Sequence, residues 1–404
     1  MENLFSTEAN LKELELNALL EVTQAINNNL PEESLYKIYK FTLLADFNVK
    51  KLALFVLDEK WKCKVNFGVS DDFCQNNIPH DFSSLTESVE LKSKEGKFGE
   101  FDLAIPVLHK ERLLAVVFVG DLKKDELGGT LKSGTTFLEA LTNIILVAIE
   151  NKKLANQQLE QEAYKKEMEI AKQVQQFLFP KVLPTGSPIE IAAKYLPHKD
   201  VGGDYYDYIP LSDDKFILCI ADVSGKGVPA ALMMSNFQAS LRTLVRKTDN
   251  LKEIIEDLNF QINFSGNGEI FITFFIALFD RKMQRFEYIN CGHNLPIICM
   301  EDGSTHLLDQ GTTVLGMFCP LPFNNMGSFN DVTSFNLFCY TDGLSEAMNT
   351  SDEEFGPERI EELIIKISCD SPNDINNKVL KEIDLFRGEI SYRDDVTLLT
   401  CRVE

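Results

Sequence analysis

Apolar residues near the start recur with a helical period: Leu11, Leu14, Leu16, Leu19, Leu20, Val22, Ala25 and Ile26. Asn27–Pro31 interrupts the run, and a second amphipathic stretch follows at Leu35–Leu44. The period then shortens. Lys51–Leu57, Lys62–Phe67, Asp102–Leu108 and Leu113–Val119 read as strands, and the polar His109–Arg112 between the last two predicts a hairpin. Gly128, Gly129 and Gly134 mark a loop, after which Phe137–Ile149 returns to the helical period. Helices, a meander of strands and a closing helix predict an α+β sensor module over residues 1–150.

From Phe137 to Phe179 the chain has neither Gly nor Pro, a run of 43 residues rich in good helix formers. It predicts a connecting helix over 137–180 that shares its start with the sensor's last helix. The middle, Asn151–Lys166, is strongly polar, and a polar helix of this length needs support from a partner. Leu138, Leu141, Ile145 and Ala148 have the 3-4 spacing of a helix–helix seam. Leu154, Met168, Ala171 and Leu178 continue it, with Gln157, Gln161 and Gln175 between them. The expectation is a parallel homodimer through this helix. The competing reading is a solvated helix packed on its own chain, because the heptad pattern is weak. Pro180, Pro184 and Pro188 end the helix and open a third segment, 181–404.

That segment is dominated by short strands: Ile189–Tyr195, Tyr205–Ile209, Lys215–Asp222, Ile270–Asp280, Arg285–Asn290, Pro296–Cys299, Ser334–Tyr340 and Val396–Val403. Helical stretches lie at Ala230–Val245, Leu251–Asn263 and Pro357–Ile367. Many strands with a few amphipathic helices predict two packed sheets with helices outside, an αββα sandwich.

Charge narrows the function classes. The 404 residues carry 40 basic and 62 acidic side chains, net −22, of which residues 181–404 hold −15. Nucleic-acid binding and docking on an anionic membrane both rest on Lys and Arg, so neither is expected. No apolar run approaches the ~18–20 residues of a membrane span. Residues 1–20 lack the basic start and apolar core of a signal peptide. Nine cysteines without a CxxC pair read as free thiols in a reducing cytoplasm.

Four aspartate sites stand at strand ends beside turn residues. They are Asp204 in Val201-Gly-Gly-Asp-Tyr-Tyr-Asp207, Asp222 in Asp222-Val-Ser-Gly-Lys-Gly227, Asp342 in Tyr340-Thr-Asp-Gly343, and the pair Asp394 and Asp395. Taken singly, each is a turn former or helix cap. Gathered, they would repel unless a cation balanced them. An all-carboxylate set suits Mg²⁺ or Mn²⁺ rather than Zn²⁺. Two such ions about 3.5–4 Å apart would support in-line displacement at phosphorus.

The same segments resemble the PPM metal-dependent serine/threonine phosphatases, in particular their bacterial SpoIIE-like, stress-response branch. The likeness starts at about Glu169. It runs through the Asp204 segment and Ala221-Asp-Val-Ser-Gly-Lys-Gly-Val-Pro-Ala-Ala-Leu-Met-Met-Ser235, then Phe271–Phe275 and Asn290-Cys-Gly-His-Asn-Leu-Pro296. Leu315-Gly316, Tyr340–Ala347, Phe355-Gly356 and Arg393-Asp-Asp-Val-Thr397 follow in the family's order. The resemblance implies that Asp204 and Asp222 are catalytic metal ligands, with Asp222 bridging and the Val223 carbonyl joining them. It implies that Asp342 and Asp394 complete the shell, with Asp395 the less favoured acid of its pair and Asp207 structural. The implied substrate is a phosphorylated STAS-type anti-sigma-factor antagonist. His293 could be a general acid, and Lys226 could offset phosphate charge. The plainer readings, a structural histidine and a solvated turn lysine, are favoured. No arginine near Asp204 offers a phosphate clamp.

Residues 1–150 resemble a GAF domain through Leu16–Asn27, Ala104–Leu108, Leu113–Val119 and the closing helix, although a PAS-like sensor would read similarly. The resemblance leaves open a small-molecule or protein signal. Two rivals to the phosphatase reading are an inactive phosphatase-fold scaffold and a metal-dependent nucleotide hydrolase. Intact aspartates speak against the first, and the absence of a P-loop or HD-type pair against the second.

Overall fold

The computed structural model describes residues 2–45, 49–69, 71–74, 82, 85–91, 98–109, 112–121, 131–266 and 268–404. The chain divides into two compact units, Met1–Glu162 and Ala163–Glu404.

The first unit contains α1 (Glu2–Asn27), α2 (Glu32–Ala45), β1 (Lys51–Leu57), β2 (Trp61–Phe67), α3 (Asp71–Cys74), β3 (Val89–Glu90), β4 (Leu103–His109), β5 (Arg112–Gly120) and the start of α4 (Leu131–Gln176). Its five strands form one antiparallel sheet in the order β2-β1-β5-β4-β3. The expected hairpin pairs His109 with Arg112. Alternation along β5 decides the two faces. Ala115, Val117 and Val119 meet α1, α2 and α4 through Val22, Tyr39, Leu43 and Leu141. Val116 and Phe118 point the other way, into an aromatic cluster with Phe55, Phe73 and Phe101.

Two expectations change here. Gly134 lies inside α4, which begins at Leu131, while Gly128 and Gly129 fall outside the described residues. Leu138, Leu141 and Ile145 are not available as an intermolecular seam, because they are buried in their own unit's core. The Tyr39 hydroxyl and Thr142 Oγ1, 2.7 Å apart, fix that face of α4 against α2.

The second unit is the expected sandwich. Its elements are β6 (Ile189–Leu196), β7 (Tyr205–Ser212), β8 (Lys215–Val223), α5 (Val228–Val245), α6 (Leu251–Gly266), β9 (Ile272–Asp280), β10 (Arg285–Cys291), β11 (Ile297–Met300), β12 (Thr305–Leu307) and β13 (Gly311–Thr312). Then follow β14 (Gly327–Phe329), β15 (Phe335–Tyr340), α7 (Asp342–Ser345), α8 (Pro357–Ile367), α9 (Pro372–Arg387) and β16 (Val396–Val403). One sheet runs β13-β10-β9-β8-β7 with β14 also on β10, and the other runs β12-β11-β15-β16-β6.

Strand alternation again builds the layers. Phe216, Leu218 and Ile220 of β8 face Leu337, Cys339, Leu399 and Cys401 of the other sheet. Ile217, Cys219 and Ala221 face outward onto Phe237 and Leu241 of α5 and Ile255 and Leu258 of α6. On the far side, Phe338, Tyr340 and Leu398 pack on Ile360, Ile364, Ile375, Val379 and Ile383 of α8 and α9. Helix α9 was not expected. Its fully buried apolar stripe is Ile375, Val379 and Ile383, four residues apart, with Leu380 and Phe386 packed beside it, and strongly polar residues lie between them. Its ends carry ordinary signals: Ser371 Oγ accepts from the Asp374 N–H, Pro372 opens the first turn, and Gly388 follows the last residue.

Candidate active site

The register of the strands brings the four aspartates to one rim. Asp204 precedes β7 and Asp222 lies at the end of β8, and Tyr205 pairs with Ala221, so the two acids are neighbours. Tyr340 pairs with Leu398 across β15 and β16. Asp342, just after β15, and Asp394, just before β16, therefore emerge at the same end of the second sheet. The two sheets meet at Asp204, which is fully buried. Its Oδ2 accepts from Thr341 Oγ1 at 2.9 Å and from Thr397 Oγ1 at 2.5 Å. The Thr397 N–H in turn donates to Thr341 Oγ1 at 2.9 Å. These threonines stand inside the Tyr-Thr-Asp-Gly and Asp-Asp-Val-Thr motifs, where sequence reasoning passed over them as flanks.

The electrostatics are those of carboxylates short of positive charge. Burial, then Asp342 and Asp394, push the Asp222 carboxyl up to about 8. Burial and Asp222 push Asp204 well above the usual carboxylate range. Asp342 is raised by burial and by Asp394. Asp204 and Asp222 repel each other as neighbouring buried acids. A divalent cation would offset that repulsion, and the donor set is all oxygen, as Mg²⁺ or Mn²⁺ prefers. Among the described residues no group of three or more Asp, Glu, His or Cys side chains is gathered closely enough to hold a metal ion. Asp222 nonetheless feels Asp342 and Asp394, and Asp204 feels Asp222, so the acids share one end of the sandwich, and hard ions that keep several waters suit such a set.

The loop before Asp204 is shaped around this set. A Cβ on Gly203 would lie 2.8 Å from the Val223 carbonyl oxygen, and one on Gly202 would lie 2.0 Å from Asp395 Oδ2. Only glycine lets the backbone come this close. Asp395 has a different task from its neighbour. Its oxygens accept from the backbone N–H groups of His198 at 2.7 Å and Gly203 at 2.8 Å, pinning the glycine loop. Asp394 faces the set, and Lys226 Nζ lies 2.6 Å from its Oδ2. Lys226 also donates to the Arg393 carbonyl at 2.7 Å; it is an exposed lysine, as the plainer reading has it, that also pairs with an acid of the site.

Three further placements complete the picture. His293 is buried, its Nδ1 lies 2.8 Å from Thr273 Oγ1, and burial lowers its pKa to about 3. Burial thus favours its neutral form, while its Nε2 is buried without a hydrogen-bond partner. Asp207 has no exposed surface and receives a bidentate pair from Arg242 at 2.7 and 2.8 Å, together with the Tyr205 hydroxyl. Arg242 lies on α5, so this network fastens the helix to β7, and the arginine serves Asp207 rather than a phosphate. Gln175, near the end of α4, is also buried. Its Nε2 donates to the Gly202 carbonyl at 2.7 Å and its Oε1 accepts from the Gly202 N–H at 3.3 Å. Arg242 and Gln175 act on partners 35 and 27 residues away, which no local pattern reveals.

Residues 212–404 match the family described as Stage II sporulation protein E, SpoIIE. This part of the chain is a SpoIIE-like domain by similarity. The matched span starts at Ser212, the last residue of β7, yet β6 and β7 are strands of the same two sheets, so the sandwich extends N-terminal of the match to at least Ile189. Over 335 residues the chain is 26% identical to Protein IcfG of Synechocystis sp., covering 73% of this chain and 50% of that protein. It is 26% identical over 243 residues to the phosphoserine phosphatase RsbU of Bacillus subtilis, covering 60% and 71%. The phosphoserine phosphatase RsbP of the same organism is 25% identical, covering 45% and 46%. The chain thus spans about half the length of IcfG and of RsbP. The SiaA-PP2C domain of Pseudomonas aeruginosa matches the SpoIIE-like domain's fold, with a TM-score of 0.54 at 18% identity over 61% of this chain and 99% of that one.

Proposed function

We propose that the chain is a metal-dependent protein phosphatase that hydrolyses phosphoserine or phosphothreonine. The observation that carries this reading is the set of four strand-end carboxylates, with Asp222 facing Asp204, Asp342 and Asp394 at once. Asp204, Asp222, the Val223 carbonyl, Asp342 and Asp394 would hold two Mn²⁺ or Mg²⁺ ions. Bound there, the ions would supply charge neutralisation toward a phosphoryl group and an activated water.

The chain's own residues do the positioning. Thr341 and Thr397 orient Asp204, Asp395 fixes the Gly202–Gly203 loop, and Lys226 is ion-paired with Asp394. Names of the relatives favour phosphoserine, and a phosphorylated STAS-type antagonist of an anti-sigma factor is the substrate class. The first unit, a five-stranded antiparallel sheet with helices on one face, is proposed as a GAF-like sensor that regulates the second. Among the described residues no helix is long and apolar enough to cross a membrane, in keeping with a proposed cytoplasmic location.

The test is phosphate release from a phosphoserine peptide and from a phosphorylated STAS-type protein with Mn²⁺, with a nucleoside triphosphate as the control. Release from the phosphoproteins alone is expected. Release from the nucleotide alone would replace the reading with nucleotide hydrolysis, and no release from any would leave an inactive scaffold.

A further inference from the structure

Two thiols meet in the first unit, away from the carboxylate site. Cys63 lies on β2 and Cys74 ends α3, both half-buried, and their sulfurs are 3.0 Å apart. The surroundings differ between the two. Cys74 Sγ accepts the Cys63 S–H and also an N–H from Asn66 Nδ2 at 2.8 Å. Cys74 Sγ is thus the accepting sulfur of the pair, with a second donor from a neighbouring amide. Burial and the neighbouring Cys74 raise the Cys63 thiol, so it holds its proton. The remaining cysteines show no such arrangement. Cys219, Cys291, Cys299, Cys339 and Cys401 are buried, and Cys319 and Cys369 are exposed.

We propose that Cys63 and Cys74 form a reversible dithiol–disulfide site, oxidised by a low-molecular-weight disulfide, with Cys74 the attacking and Cys63 the resolving thiol. Cys74 thiolate attacks one sulfur of the oxidant, its disulfide bond breaks, and one thiolate leaves. The Cys63 proton passes to solvent. Its sulfur then displaces the second thiolate from Cys74 and closes the internal disulfide. Two protein thiols are oxidised and one external disulfide is reduced to two thiols. Closing from 3.0 Å to the covalent length of about 2.05 Å asks the sulfurs to move by only about 1 Å. The bond would tether α3 to β2 beside Phe73, which packs edge-on to Phe55 and Phe98 in the aromatic cluster. An oxidised chain would therefore hold that face of the sheet more tightly than a reduced one.

The test exposes the full chain to oxidised glutathione, alkylates the remaining thiols and maps the peptides. A linked Cys63–Cys74 peptide is expected, lost on adding dithiothreitol. Cys63→Ser should stall as a glutathione adduct on Cys74. Asn66→Ala should slow alkylation of Cys74 by about threefold to tenfold. The proposal falls if the unaltered chain keeps both thiols open to alkylation while Cys319 or Cys369 takes up glutathione. It falls equally if the first adduct forms on Cys63.

Discussion

Asp222 shows how one residue's chemistry reaches stability as well as catalysis. Its carboxyl is pushed up to about 8 by burial and by Asp342 and Asp394, whereas in the unfolded chain it titrates near 3.9. Between those values the folded state binds a proton that the unfolded state has released. Stability of the metal-free chain from this group is therefore complete below about pH 4 and is lost as pH rises toward 8. Melting of chelator-treated protein at pH 5 and pH 8 checks the sign. The unaltered chain should lose more on going to pH 8 than Asp222→Asn does, by about 3–6 °C. Equal losses would mean that Asp222 is not under strain from its neighbours. The aspartates themselves were legible in the sequence because each sits at the junction of an apolar run and a turn. The residues that hold them were not, since Thr341, Thr397, Gln175 and Arg242 work through contacts the chain makes only once folded.

At the scale of elements, the strands of the sandwich were readable because each carries a dense apolar run. Helix α9 was not, because its apolar residues, Ile375, Val379, Leu380, Ile383 and Phe386, are diluted by Asn, Lys, Glu and Asp between them. The Asn376 side chain also anchors it, donating to the Ala192 carbonyl at 3.1 Å and accepting from Thr400 Oγ1 at 2.6 Å. The expected seam on α4 failed for the opposite reason: Leu138, Leu141 and Ile145 do have helix-packing periodicity, but periodicity does not say which surface they pack on. The last turn of α4 has a more specific contact. Gln175 brackets the Gly202 backbone from both sides, and Gly202 adjoins the loop that leads to Asp204. Gln175→Ala removes one buried partner and leaves two backbone groups unpaired, a cost of about 1–3 kcal/mol. Mn²⁺-dependent turnover should fall by about tenfold or more, with half-saturating Mn²⁺ raised. An unchanged Mn²⁺ dependence would confine Gln175 to holding the helix end.

At the scale of the whole molecule, a helix of 46 residues runs from the first unit toward the SpoIIE-like domain. Along that helix Leu159, Tyr164, Ile170 and Val174 remain exposed, as does Phe177 just beyond it. Large apolar groups repeated along one exposed helix suit a helix partner, and the proposed homodimer would use these residues in place of the buried Leu138, Leu141 and Ile145. Light scattering should give a dimer mass for the full chain, shifted toward monomer in Leu159→Glu with Ile170→Glu. A monomer mass at every concentration would leave the helix to its own chain. The central claim, however, is that the four carboxylates form one divalent-cation site, and calorimetric titration of Mn²⁺ into the full chain tests it most directly. Two bound ions are expected for the unaltered protein, with Asp222→Asn losing at least one of them while keeping its fold by circular dichroism. Equal Mn²⁺ stoichiometry and affinity in the folded variant would contradict the account.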